Sequence, residues 1–228
     1  MSDVRCPAGL RPGQLSLLVI RRVIMGDIAV TIVDLAQRGV LAVDEQEDSW
    51  HVRVLAGQAS RPGQPDPLAY ERELLAALPM PAGDQPAPAL PSLAAAMGTR
   101  LDRVRAEIGK EAVRSGWVHH WHHGDLTESG DRLVAELGQF GGKLRQLKCE
   151  SGDEALTGDL LPYALRFHLL ARDQVPLARF AAAWAEAFAG LPGWKALDHK
   201  HPEYDDDSWV QNRGYTGYPT GWGLAPWG

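Results

Sequence analysis

The feature that most constrains the fold of this chain is a change of hydrophobic period at a glycine. From Gly26 and Asp27 onward the apolar residues Ile28, Ile32, Leu35 and Ala36 recur at helical spacing, and the pattern stops at Gly39. Glycine is the residue best suited to end a helix in the left-handed conformation. Beyond it, residues 40–43 and 50–55 read as strands separated by an acidic turn, 44–49. A short helix through Leu15, Leu18 and Val19, with Pro12 near its start, comes before. Helix, helix, hairpin is the order of a winged-helix-like unit, here residues 1–56.

Residues 57–67 are rich in Pro, Gly and polar side chains and read as a linker. The same plan then recurs over residues 68–137. An amphipathic helix is expected at 68–78, a Pro-rich loop comes next, and Pro91, Ser92 and Leu93 open a short helix. The longest helix is predicted over 99–115, with Leu101, Val104, Ile108 and Ala112 on one face and Gly116 as its stop. Residues 117–121 are strand-like, and 125–133 return into a helix.

A C-terminal helical region is expected over 138–197, with helices within 131–147, 159–170 and 176–189. In the last of these, Phe180, Trp184 and Phe188 form a stripe that belongs in a core. The tail, 198–228, is acidic, then rich in Gly and aromatics, with no apolar period, a composition that predicts disorder in isolation. The expected class is therefore α+β, mainly helical.

Composition excludes several functions. A net charge of −6 opposes broad attraction to phosphate backbones. The start of the chain lacks a basic and apolar leader, and the longest apolar run ends at Arg21 and Arg22, far short of the roughly 20 residues a membrane span needs. A cytoplasmic chain without membrane insertion is the expectation. Cys6 and Cys149 have no CxxC spacing and are expected to be free thiols.

The order of six segments resembles the cytosolic region of the YciQ-like predicted membrane proteins, a family of unknown function. They are Gly9-Leu10-Arg11-Pro12, Asp34-Leu35-Ala36-Gln37-Arg38-Gly39-Val40-Leu41, Tyr70-Glu71-Arg72-Glu73-Leu74-Leu75, Glu111-Ala112-Val113-Arg114-Ser115-Gly116-Trp117, Leu161-Pro162-Tyr163-Ala164 and Trp184-Ala185-Glu186-Ala187-Phe188. The resemblance spans roughly residues 7 to 194. Where that family usually inserts a pair of membrane helices, this chain has only Val118-His119-His120-Trp121-His122-His123-Gly124. The resemblance thus implies a soluble relative, and it brings no catalytic residues.

Four chemistries compete. For metal binding, only His120 and His122 of the cluster formed with His119, His123 and Asp125 would share a strand face, too few for a structural site, so no metal or other cofactor is expected. For DNA binding, the helix at 27–38 carries Asp27 and Asp34 and its wing carries Glu45, Glu47 and Asp48, which repel phosphate. The second unit offers Arg100, Arg103, Lys110 and Arg114 on adjoining faces of one helix, offset by Glu107 and Glu111. For catalysis, GxSxG, HExxH, P-loop and GxGxxG are all missing, which points to a protein that is not an enzyme. For protein partners, Trp209, Tyr215, Tyr218, Trp222 and Trp227 of the tail offer large contact area behind an acidic run. A non-enzymatic protein-interaction module is the leading expectation, and a DNA-binding transcription regulator is the alternative.

Overall fold

The computed structural model describes residues 4–46, 49–55, 66–79, 87–98, 100–120, 125–171 and 175–189. It is mainly helical, with one two-stranded antiparallel sheet among the described residues. In chain order the elements are α1 (Leu15–Ile20), α2 (Met25–Gln37), β1 (Leu41–Gln46), β2 (Ser49–Val54), α3 (Ala69–Ala77), α4 (Leu90–Met97), α5 (Arg100–Arg114), α6 (Glu128–Ser151), α7 (Leu161–Arg166) and α8 (Pro176–Ala189). Short 3-10 turns at Pro7–Gly9, Pro12–Gln14, Asp153–Leu156 and Gly158–Leu160 join them.

The switch of period at Gly39 is realised in the backbone. Gly39 takes φ 71°, and the N–H of Val40 returns to the Leu35 carbonyl at 2.9 Å, closing the end of α2. Gly116 does the same for α5, with φ 69° and Trp117 N–H donating to Ala112 O at 2.9 Å. Beyond the two glycines the chain takes different paths. After Gly39 the hairpin runs from Leu41↔Val54 to Gln46↔Ser49, so most of the segment expected as a turn is paired strand. After Gly116 the pairing among the described residues is a single bridge, Val118↔Leu126, supported by His119 N–H to Asp125 O at 2.9 Å and Thr127 N–H to Trp117 O at 3.0 Å.

Helix α2 is the centre of the molecule. Every residue from Met25 to Leu35 is buried, because the turn Pro12–Gln14, α7, α8 and β1 cover it on different sides. Gly13 lets that turn approach: a Cβ there would stand 2.2 Å from Thr31 Oγ1 and 3.2 Å from the Asp27 carbonyl. A helix enclosed in this way has no face left for a groove of DNA.

Helix α8 packs on α2 and α4 and reaches the hairpin through its side chains. Trp50 meets Phe180 edge-on at 5.7 Å between ring centroids, and Trp184 continues the stack to Phe188 at 4.6 Å, with Phe180, Trp184 and Phe188 fully buried. Arg179 latches the same contact from outside, its guanidinium 5.9 Å from the Trp50 ring centroid and 2.9 Å from Glu45. The other helices depart from the expected spans mainly at their ends. α6 begins three residues earlier than the apolar period suggests, because Thr127 caps it: its hydroxyl accepts from Gly130 N–H at 3.1 Å. α7 is shorter than expected, since the chain leaves the helix at His168 with φ 53°. Buried apolar residues from the first 55 positions, from 68–137 and from the C-terminal helices all belong to one hydrophobic cluster.

Candidate functional site

Three groups of polar side chains stand out, two inside the molecule and one on its surface. The deepest is Ser16, Asp27 and Arg166, all fully buried. Asp27 sits in the first turn of α2, where its Oδ2 accepts the Ile24 N–H at 2.8 Å and satisfies a helix N-terminus. Its Oδ1 accepts from Arg166 Nε at 3.1 Å and from the Ser16 hydroxyl, and Arg166 Nε also donates to Ser16 Oγ at 2.8 Å. Burial pushes the Asp27 carboxyl above its ordinary range, and Arg166, Ser16 and the Ile24 N–H pull it back. This group ties α7 to α1 and α2 across about 140 residues of sequence; sealed from solvent, it has no access to a substrate.

The second group lies at the junction of α2 and α3. Arg38 Nη2 stands 2.9 Å from Asp34 Oδ2 and 2.6 Å from Glu71 Oε1, so two carboxylates flank one guanidinium. Glu71 also accepts the Leu68 N–H at 2.9 Å, capping α3, and Arg11 Nε approaches it at 3.9 Å. Asp34, Glu71 and Tyr70 are buried. The Asp34–Arg38 contact has ion-pair distance but not hydrogen-bond alignment. Asp34 Oδ2, Gln37 Oε1, Arg38 Nε and Tyr70 Oη lack a hydrogen-bond partner among the described residues. Burial, reinforced by Glu71 and opposed by Arg38 and Arg11, raises the Asp34 carboxyl to about 6. Tyr163 borders this group and donates its hydroxyl to Leu10 O at 2.6 Å. Cys6, beside Tyr163, is pushed up to about 12 by burial.

The surface group is the outer face of α5. Lys110 Nζ lies 2.6 Å from Glu107, and Arg114 lies 2.6 Å from Glu111 and 3.5 Å from Glu107. Lys110 and Arg114 are about half exposed, and Val113 lies exposed beside them. Arg103 and Lys110, with Glu73 of α3, Ala106 and Glu107, line a shallow groove of about 270 Å³. Arg100 turns away toward Ala77 O, at 3.5 Å. All four cations are exposed on α5, and Glu107 and Glu111 interleave with Lys110 and Arg114, so the face carries mixed charge. Arg105, which the sequence did not single out, anchors α5 to the α1–α2 turn through Val23 O at 3.2 Å.

Of the histidine cluster, His119 and His120 are exposed, while His122 and His123 lie outside the described residues. Among the described residues no group of three His, Cys, Asp or Glu side chains could hold a metal ion. The tail candidates Trp209, Tyr215, Tyr218, Trp222 and Trp227 also lie outside the described residues. No helix among the described residues is long and apolar enough to cross a membrane.

No family model matches the chain, and no curated protein or solved structure shows significant similarity to it.

Proposed function

We propose that this chain is a non-enzymatic, cytoplasmic protein-interaction module that docks through the outer face of α5, with the aromatic tail as a second contact. The observation that carries this reading is the pairing of Lys110 and Arg114 with Glu107 and Glu111 on the same helix. A phosphate backbone is held by cations that release condensed counterions, and cations already neutralised on their own helix contribute little of that free energy. A protein surface of mixed charge suits the pattern better, since each pair can be exchanged for one across the interface. Val113 supplies an apolar centre. DNA binding by a winged-helix-like unit is the second reading: α3, α4, α5 and the Val118–Leu126 bridge keep that order, which leaves α5 as the recognition helix.

The chain is further read as a soluble relative of the cytosolic region of the YciQ-like family. Support comes from four of the six segments that carry the resemblance. Arg11, Asp34 with Arg38, Tyr70 with Glu71, and Tyr163 all gather around the α2–α3 junction.

The test is crosslinked affinity capture from native cells with three chains: full length, a version ending at Leu197, and full length carrying K110E and R114E. A protein lost with the charge reversals places the interface on α5, and one lost with the truncation places it in the tail. Defined DNA recovered with the full-length and truncated chains, with affinity falling steeply with salt, overturns the reading in favour of the second.

A further inference from the structure

The junction between α2 and α3 has an arrangement that a purely structural ion pair does not need. One guanidinium serves two buried carboxylates, and the poorer alignment falls to Asp34, whose Oδ2 has no hydrogen bond among the described residues. The groups facing Asp34 can be named from each element around it. Arg38 comes from the C-cap of its own helix, Tyr70 and Glu71 from α3, Arg11 from the turn before Pro12–Gln14, and Tyr163 from α7. Two cations, Arg11 and Arg38, thus balance two carboxylates only while both acids are ionised. Adding one proton leaves Glu71 with Arg38 at 2.6 Å and gives Asp34 a hydroxyl donor in place of a buried, unaligned acceptor.

We propose that Asp34, Arg38 and Glu71 form a proton-sensitive latch between α2 and α3, which tightens when Asp34 takes up a proton and loosens when it is lost. The sign follows from burial. Asp34 titrates near 6 in the closed junction and near the ordinary 3.8 when hydrated, so the closed form holds the proton more tightly. Acidification from neutral pH through about 6 therefore favours closure, and the effect saturates near 4. Between about pH 7.5 and pH 5 the closed-to-open ratio is expected to change by roughly tenfold.

Glu71 also caps α3 through the Leu68 N–H, so opening the latch exposes the first turn of that helix. The experiment is a carboxyl-carbon NMR titration of the full chain, beside amide hydrogen exchange in α3 corrected for intrinsic rates, on the wild type and on D34N. The expected result is an Asp34 midpoint near 6 and protection of the first turn of α3 that falls roughly tenfold as pH rises from about 5 to 7.5. In D34N, which cannot titrate, that protection stays flat across the range. An Asp34 midpoint near 4, or wild-type protection that does not change with pH, overturns the proposal. Both readouts on the wild type remain decisive if D34N fails to fold.

Discussion

Replacing Arg166 with methionine tests the deepest polar group in the molecule. Methionine keeps much of the aliphatic volume, so the loss is mainly that of the guanidinium and not that of a large cavity. Asp27 and Ser16 are left fully buried with their strongest donor removed. Breaking a buried pair from one side costs about 3–5 kcal/mol, against a total stability of about 5–15 kcal/mol for a typical domain. At about 2–4 °C per kcal/mol, the melting temperature should fall by roughly 6–20 °C. Without Arg166 the Asp27 carboxyl moves further upward, because the largest force opposing its burial is gone. The raised folded-state value means that proton uptake favours the folded mutant, so its deficit shrinks on acidification. Over the two units from pH 7 to pH 5 such linkage returns at most about 2.7 kcal/mol.

The assay is urea denaturation at both pH values, followed by tryptophan fluorescence, on the wild type, R166M, D27N and the double mutant. The amide introduced by D27N retains an oxygen for the Ile24 N–H, so the double mutant should recover at least about 2 kcal/mol of the R166M deficit, on the order of a buried pair's coupling. A deficit below about 1 kcal/mol at pH 7, or one that grows on acidification, would refute the account of Arg166 as the group that makes a buried Asp27 tolerable.

Three further outcomes are expected. G13A should destabilise the fold by about 1–3 kcal/mol in the same denaturation assay, because its Cβ collides with Thr31 Oγ1 and presses on the Asp27 carbonyl. T127A should cost about 1–2 kcal/mol, since Thr127 both caps α6 and donates its hydroxyl to Gly116 O at 2.5 Å. A thiol reagent at pH 8 should react quickly with exposed Cys149 and slowly with Cys6, whose thiol is held near 12, so that C149S removes the fast phase.

Local pattern accounted for much of the architecture. The helical spacing before Gly39 and before Gly116 placed α2 and α5 to within a residue or two, because a left-handed glycine is a local signal that needs no tertiary partner. Burial of Phe180, Trp184 and Phe188 was likewise written in their spacing. The hairpin turn is narrower than the local pattern suggests because Asp44, Glu45 and Gln46 are poor strand formers in isolation. They are held extended by pairing with His51, Trp50 and Ser49, and Glu45 also gains Arg179 from α8.

The sequence by itself determined the helix ends, the apolar stripes and the balance of charge along α5. Only the tertiary structure decided which charged residues face inward. Asp27, Asp34, Arg38, Glu71 and Arg166 read as surface charges in the linear pattern, because ionisable groups are rarely buried and the sequence does not show which partner each will find. Their partners lie 11 to 150 positions away, or four along the same helix. Packing around α2 brings those partners together, and burying a charge is tolerable only where they meet.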